Sequence, residues 1–168
     1  MKDLVDILKN TRQHLMNGVS HMIPVVVSGG ILFAIAAMLS MNSVQTSASV
    51  SSAGLAGFLS NVGSVGLGLM VPVLSAYIAA SIADRPGIAP GIIGGQLAVN
   101  VGAGFIGGIV TGLVAGIAAY YLKKIPLPKS IQSLKAIFIV PLLATLITGF
   151  VIVVVVGNPC AALLKFLE

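Results

Sequence analysis

Charged residues are scarce in this sequence. Of its 168 residues only 8% are charged, 57% are hydrophobic, and the mean hydropathy is +1.10. A soluble domain has about a quarter of its residues charged and fewer than half apolar. Setting aside two histidines, no residue with a formal charge (Lys, Arg, Asp or Glu) falls within 13–83, 86–122 or 136–164. Since a helix crosses a bilayer with about 20 apolar residues, the sequence predicts an all-α, polytopic membrane protein.

Several kinds of functional residue are also rare or missing. Cys160 is the only cysteine, which excludes an internal disulfide framework and zinc or redox pairs of the CxxC type. The motifs GxxxxGK[ST], HExxH and GxSxG do not occur, so the sequence predicts no nucleotide-binding loop, zinc protease or hydrolase. We therefore expect neither a metal nor a cofactor. The charges within residues 1–17 are not typical of a cleaved signal peptide.

The basic residues indicate an orientation in the membrane. The net charge is +5, but no aromatic residues alternate with the cations, so we expect no nucleic acid partner. A single helix over 86–122 would be about 55 Å long and would place five of the nine cations on one side and four on the other. A hairpin that breaks near 101–104 places eight of nine on the cytoplasmic side. The positive-inside bias favours the hairpin and a cytoplasmic N-terminus.

Polar and apolar segments divide the chain into an N-terminal helix and about five membrane segments. Residues 1–17 are predicted to form an amphipathic helix, either in the headgroup region or as a solvated tail. Membrane spans are predicted near 19–41, 63–83, 86–101, 103–122 and 136–157, so that 18–168 forms one membrane domain. The segment 86–101 is short and contains Pro90 and a Gly-Gly pair, so it either spans or re-enters. The Ser-, Gly- and Ala-rich stretch 42–60 is predicted to be a flexible loop.

Small residues and prolines interrupt the predicted spans. Pro24, Pro72 and Pro141 each fall within one, and broken helices beside a cavity are typical of transporters. Within 103–122, small residues recur every four positions and let two helix backbones approach closely. This stripe is predicted to pack against a helix of the same chain or of a partner, and it consists of Gly104, Gly108, Gly112 and Gly116.

The few polar residues in or beside the spans are the candidate functional residues. Gln96 and Asn100 lie four residues apart on one helix face, and their amides suit either sugar hydroxyls or another helix. His21, near the inner end of the first span, either makes an interfacial hydrogen bond or contacts substrate or a phosphoryl donor. Asp84 and Arg85 are expected to form a turn-stabilising pair on the cytoplasmic side.

Five stretches of the sequence resemble a known family. They are GVSHMIPVVVSGGILFAIA (18–36), SAYIAASIADRPGIAPGIIGG (75–95), GAGFIGGIVTGLVAG (102–116), LPKSIQSLKAIFIVPLLATLITG (127–149) and GNP (157–159). Together they resemble the N-terminal half of the membrane-embedded IIC component of fructose-type sugar phosphotransferase systems (PTS).

The resemblance implies a permease that takes up fructose or a similar sugar and presents it to a IIB partner, which IIA phosphorylates. It also implies a dimeric, multi-pass protein of the inner membrane. Gln96, Asn100 and His21 are then candidates for sugar contact, and Asp84 and Arg85 for the face that meets IIB. The family's acidic sugar-binding motif and the IIB and IIA phosphorylation sites have no counterpart here. We therefore expect no phosphoryl-transfer residue in this chain, and an incomplete permease that needs a C-terminal IIC half.

Two other hypotheses follow from the residues alone. One is a membrane protein that transports nothing and oligomerises through the glycine stripe, in which case replacing Gly108 or Gly112 with leucine would abolish assembly. The other is a small homo-oligomeric channel, which would show flux without a phosphoryl donor.

Overall fold

All regular structure in the described residues is helical. The computed structural model describes residues 2–45, 50–125 and 138–156. Their helices are α1 (Lys2–Lys9), α2 (Thr11–Gln45), α3 (Val50–Gly68), α4 (Met70–Ala83), α5 (Ile88–Asn100), α6 (Gly104–Lys124) and α7 (Val140–Val151). A 3₁₀ turn, Arg85–Gly87, precedes α5, and a π-helical turn, Ile152–Val156, follows α7. The prediction of an all-α protein is confirmed.

Length and composition make this a multi-pass membrane protein. Three stretches in the described residues are long and apolar enough to cross a bilayer, namely Thr11–Met41, Gly54–Ala83 and Gly104–Lys124. A shorter apolar helix covers Val140–Val154. Large apolar side chains of this helix are exposed, as is expected of a surface in contact with lipid; they include Leu142, Leu146 and Phe150.

Two predicted boundaries differ from the observed helices. The stretch 42–60 was predicted to be a loop, and this is wrong for residues 50–60, because α3 begins at Val50. Serine and glycine do not stop a helix in a bilayer, where the backbone groups must be satisfied within the segment. The helix predicted for 1–17 is divided at Asn10, between α1 and α2, and α2 continues past residue 17.

Two of the three prolines that fall within predicted spans lie at helix starts. Pro72 is the third residue of α4 and Pro141 the second of α7. In the first turn of a helix the missing N–H of a proline removes no hydrogen bond. Of the three prolines that the sequence placed within spans, Pro24 is the one inside a helix as the structure describes them.

Contacts divide the chain into two compact units. The first, Met22–Met70, holds most of α2 and α3. These helices meet through glycine: a Cβ atom added at Gly29 would lie 2.9 Å from the carbonyl carbon of Gly66, and one at Gly63 would lie 2.6 Å from the backbone nitrogen of Phe33. Real Cβ atoms essentially never come closer than 3.0 Å to such neighbours. The contact therefore depends on the absence of side chains.

The second unit comprises Met1–His21 and Val71–Glu168. Its core is α4, with Leu74, Ser75, Ala76, Ile78 and Ala79 fully or almost fully buried. The helices that pack here turn small residues inward. Those of α6 are Gly107, Gly108, Thr111, Gly112, Ala115, Gly116 and Ala119, and those of α7 are Val140, Ala144 and Thr148.

Helices α5 and α6 form a hairpin, as predicted. Gly102 has φ 74°, and the turn is closed by the backbone hydrogen bond from Ala103 N to Ala98 O at 2.9 Å. The prediction of a glycine- and proline-broken hairpin is confirmed, and a single 55 Å helix does not occur. With 13 residues, α5 is about 20 Å long, less than the roughly 30 Å of a bilayer core.

Some predicted features lie outside the described residues. These are the loop lysines Lys129 and Lys135, the end of the last predicted span at Asn158 and Pro159, and Cys160.

Candidate functional site

The glycine stripe of α6 faces α4 of the same chain. A Cβ atom at Gly112 would lie 2.8 Å from the carbonyl oxygen of Ser75, and one at Gly116 would lie 3.1 Å from the Cα of Ala79. Gly108 faces α4 in the same way. The sequence left open whether the stripe packs against a helix of the same chain or of a partner. For Gly108, Gly112 and Gly116 the neighbour is a helix of the same chain.

Gly104 differs from the rest of the stripe. No described atom lies within 4 Å of a Cβ placed there, and its φ is +55°, a conformation that glycine adopts without strain. Glycine at this position therefore serves the hairpin turn and does not pack against α4. A second set of small residues, which the sequence analysis missed, contacts α4 from the other arm of the hairpin: Gly87, Gly91 and Gly95.

The charged turn after α4 is held by a different partner from the one expected. The Nζ of Lys123 donates to Oδ2 of Asp84 at 2.6 Å, in place of the predicted pairing of Asp84 with Arg85. Asp84 has φ 62° and ψ −149°, a region that side chains rarely adopt. Arg85 is exposed and lines a groove of about 710 Å³ together with Ile92 and Pro141.

Gln96 and Asn100 are brought together on the outer face of α5. The Nε2 of Gln96 donates to Oδ1 of Asn100 at 3.2 Å, and both side chains are exposed. The bond leaves donor and acceptor capacity on both amides, because each amide has two N–H groups and an oxygen. Exposed amides are unfavourable against lipid tails, so this face suits protein or water.

A polar seam joins the start of α2 to the end of α4. Nδ1 of His14 lies 2.7 Å from Oγ of Ser81, and Nδ2 of Asn17 donates to the carbonyl of Tyr77 at 3.3 Å. The ring of His21 stacks on that of Tyr77, with 4.0 Å between the centroids and 11° between the planes. His21, the predicted candidate, is thus one end of a larger group of polar contacts.

The hydrogen bonds of the seam place a proton on Nδ1 of both histidines. The Ser81 hydroxyl donates to the carbonyl of Ile78 at 2.7 Å, so it accepts from His14, whose Nδ1 must carry the proton. Nδ1 of His21 lies 2.9 Å from the carbonyl of Asn17, which can only accept. In the neutral form of each ring, Nε2 is then the acceptor.

The sequence contains a signal for the polar residues that the start of α2 contributes to this seam. Asn10, His14, Asn17 and His21 are spaced four, three and four residues apart, which places them on one helix face. Their contacts with Tyr77 and Ser81, about 60 residues further on, have no local signal.

An open pocket of about 390 Å³ lies against the seam. Its polar lining residues are Asn10, Gln13, His14, Asn17, Ser20 and Ser81. No group of three or more His, Cys, Asp or Glu side chains that could hold a metal ion occurs in the described residues.

Comparison with known proteins places this chain in a family. The sequence profile described as "Phosphotransferase system, EIIC" matches residues 16–167. The chain belongs to the PTS EIIC family. The resemblance drawn from the sequence is confirmed, and the described helices are those of an EIIC chain. No solved structure matches it significantly.

The EIIC chain is similar to several curated proteins. It is 49% identical to the "Fructose-like permease IIC component 2" of Escherichia coli strain K12, over 97% of the chain and 45% of the relative. It is 51% identical to the "PTS system fructose-specific EIIB'BC component" of Vibrio cholerae, over 94% of the chain and 27% of the relative. The "PTS system fructose-specific EIIABC component" of Bacillus subtilis is 43% identical over 92% and 25%. The chain thus spans less than half the length of these relatives.

Proposed function

We propose that this chain is the membrane-embedded part of a fructose-like PTS permease, which moves sugar across the membrane for phosphorylation by a IIB partner. The observation that carries the proposal is the EIIC match over residues 16–167, together with relatives near 50% identity whose names specify fructose. Because the chain covers at most 45% of these relatives, the remaining permease structure comes from a C-terminal IIC half. IIA supplies the phosphoryl group to IIB, since relatives combine these components with IIC by name.

The sugar contacts that we propose in the membrane are Gln96 and Asn100. Their amides are exposed on α5 in a segment that is otherwise apolar, and hydrogen-bonding groups at this depth need protein or water beside them. A sugar path between α5 and the C-terminal half would place water and protein beside these two amides. His21 contributes to the mouth of this path.

We further propose that the N-terminus is cytoplasmic and that Asp84 and Arg85 belong to the face that meets IIB. The supporting feature is the shared end of α4 and α6, where the ion pair of Asp84 with Lys123 joins the two helices. Residues 18–168 act as the membrane domain, in contact with lipid, and residues 1–17 lie at its cytoplasmic edge. The complete permease functions as a dimer in the inner membrane.

The alternative of an oligomer without transport receives less support. Its assembly surface was the glycine stripe, but Gly108, Gly112 and Gly116 are already packed against α4 of the same chain. Replacement of Gly108 with leucine would first disturb the fold of the single chain, so loss of assembly in that variant would not distinguish the two functions.

The proposal is tested by complementation. The chain is co-expressed with the C-terminal half of the E. coli relative and with IIB and IIA, in cells that lack their own fructose permease. Membranes are then assayed for phosphoenolpyruvate-dependent phosphorylation of fructose. We expect activity only when both halves are present, and at least about tenfold less for the double variant Gln96→Leu/Asn100→Leu, which removes both amides.

The control variant is Ser64→Ala, since the Ser64 hydroxyl bonds within its own helix, to the carbonyl of Asn61 at 2.9 Å, and to no other group in the described part of the chain. It should retain full activity. Absence of activity from the two halves together, with both found in the membrane, would overturn the proposed function. Full activity of the double variant would overturn the sugar contacts alone.

A further inference from the structure

The pocket beside the polar seam has the features of a ligand site. It lies between the start of α2 and the end of α4, at the end of α4 that carries Asp84. Its volume of about 390 Å³ falls in the range of small-molecule sites, which is about 300–1,000 Å³. Six of its seven lining residues have polar side chains, Met16 being the exception, whereas the lining of the larger groove beside Arg85 is mostly apolar.

The acceptors in this pocket are held in place by bonds within the protein. Ser81 fixes the proton of His14 on Nδ1, which leaves the lone pair of Nε2 available. Asn17 uses one N–H on the carbonyl of Tyr77 and keeps its side-chain oxygen. Ser20 donates to the carbonyl of Met16 at 2.7 Å, so its oxygen can still accept. Three acceptors thus come from side chains with fixed orientations.

Donors are available from neighbouring amides. Asn10 and Gln13 are exposed at the pocket, and each carries an NH₂ group and an oxygen. No side chain that lines the pocket in the described residues is an Asp, Glu, Lys or Arg. The pocket therefore matches a neutral ligand with several hydroxyl groups, since each hydroxyl both donates and accepts, better than it matches an anion or a cation.

We infer that this pocket binds a neutral polyhydroxyl compound of about the size of a hexose, with one ligand hydroxyl donating to Nε2 of His14. The inference rests on the proposed function for the identity of the compound, which is then the transported sugar at a second position, outside the α5 path. Asn17 and Ser20 accept from further hydroxyls, and Ser81 acts as a positioning residue through His14.

The two histidines of the chain make a direct measurement possible. The full chain is produced with ¹⁵N-labelled histidine and placed in lipid nanodiscs, and the His21→Gln variant assigns the two sets of ring signals. Fructose is then titrated, with a phosphate ester of fructose and inorganic phosphate as separate probes. We expect the Nε2 signal of His14 to move with saturation on addition of fructose, and phosphate alone to have no effect.

Substitutions identify the site. Ser81→Ala should weaken fructose binding by about tenfold, the effect of losing one well-formed hydrogen bond, and Ser81→Thr should restore it because the hydroxyl returns. Asn17→Ala should weaken binding to a similar extent. Ser64→Ala, in the other unit, should have no effect. In the Ser81→Ala variant without sugar, the signals of His14 should show mixed tautomers.

The outcomes separate this inference from the proposed function. No saturable change at His14, or the same affinity in wild type, Ser81→Ala and Asn17→Ala, would overturn the pocket as a sugar site. A response to inorganic phosphate equal to that to fructose would overturn its neutral specificity. Saturable binding at His14 without phosphorylation in the complementation assay would support the pocket and overturn the proposed function. Phosphorylation in the complementation assay without saturable binding at His14 would support the proposed function and overturn the pocket as a sugar site.

Discussion

Gly91 of α5 and Gly112 of α6 face the same atom, the backbone carbonyl oxygen of Ser75. A Cβ atom would lie 2.9 Å from this oxygen at Gly91 and 2.8 Å at Gly112. Both arms of the hairpin thus reach the backbone of α4 with no side chain between them. Because lipid tails are as apolar as leucine, helices in a bilayer associate through such close packing and not through apolar burial alone.

The first prediction concerns Gly112→Ala. The added methyl group must displace the backbone or side chains around Ser75 and Ile78, and overpacking of this kind costs about 1–3 kcal/mol. We expect a lower unfolding temperature in detergent micelles. The matched control is Gly57→Ala in α3, where no described atom lies within 4 Å of the new Cβ. That variant should be unchanged or slightly more stable, since alanine is the better helix former by about 1 kcal/mol. Equal losses in both variants would contradict the packing.

The second prediction concerns the hydroxyl of Ser75. It is fully buried and has no hydrogen-bond partner among the described residues. An unsatisfied buried polar group costs about 1–3 kcal/mol, so Ser75→Ala should raise stability by about 1 kcal/mol in the same unfolding assay. Thr111→Val serves as the comparison, since the Thr111 hydroxyl already bonds to the carbonyl of Gly107 at 2.6 Å, and it should give no gain. A clear loss in Ser75→Ala would show that the hydroxyl has a partner in the membrane.

The third prediction concerns the backbone of Asp84. Its positive φ costs about 1–3 kcal/mol in a residue with a side chain, whereas its ion pair with Lys123 is worth at most about 1 kcal/mol, because the two side chains are 77% and 47% exposed. Asp84→Gly removes the backbone strain, which outweighs the ion pair, so this variant should be at least as stable as wild type. Asp84→Ala retains the strain and loses the ion pair, so it should be less stable. If chemical denaturation shows that Asp84→Ala is more stable than Asp84→Gly, the backbone of Asp84 is not strained.

The fourth prediction concerns topology. In a Cys160→Ser background, single cysteines are placed at Arg12, Gly102 and Lys124, and intact cells are treated with a maleimide that does not cross the membrane. With a cytoplasmic N-terminus and the α5–α6 hairpin, Arg12 and Lys124 should be labelled only after the cells are opened. The cysteine at Gly102, at the tip of the hairpin, should not be protected in this way and should react with the maleimide in intact cells. Labelling of Lys124 in intact cells with Arg12 protected would refute the proposed orientation.

Much of the fold could be predicted from the composition. Long uncharged stretches predict helices in a bilayer, and the length of 86–122 together with the loop charges predicts that α5 and α6 separate near 101–104. The prediction of a loop over 42–60 relied on serine and glycine, whose turn preference in water does not hold within a membrane segment. Helix α3, from Val50 to Gly68, is the result.

Less of the candidate site could be predicted. The sequence indicated His21, but it could not show that Tyr77 stacks on its ring, because that contact joins residues 56 positions apart. Likewise the spacing of Gly108 and Gly112 indicated a packing face without indicating its neighbour. The pairing of Asp84 with Arg85 was inferred from adjacency, whereas the left-handed backbone at Asp84 lets its carboxylate reach Lys123.

The glycines that contact α4 recur every four residues on both arms of the hairpin, at 87, 91 and 95 and at 108, 112 and 116. Four residues correspond to about 6 Å along a helix axis. From Gly108 to Gly116 the contact thus extends for about 12 Å along α6. A larger side chain at any of these six positions would push α4 away from the hairpin.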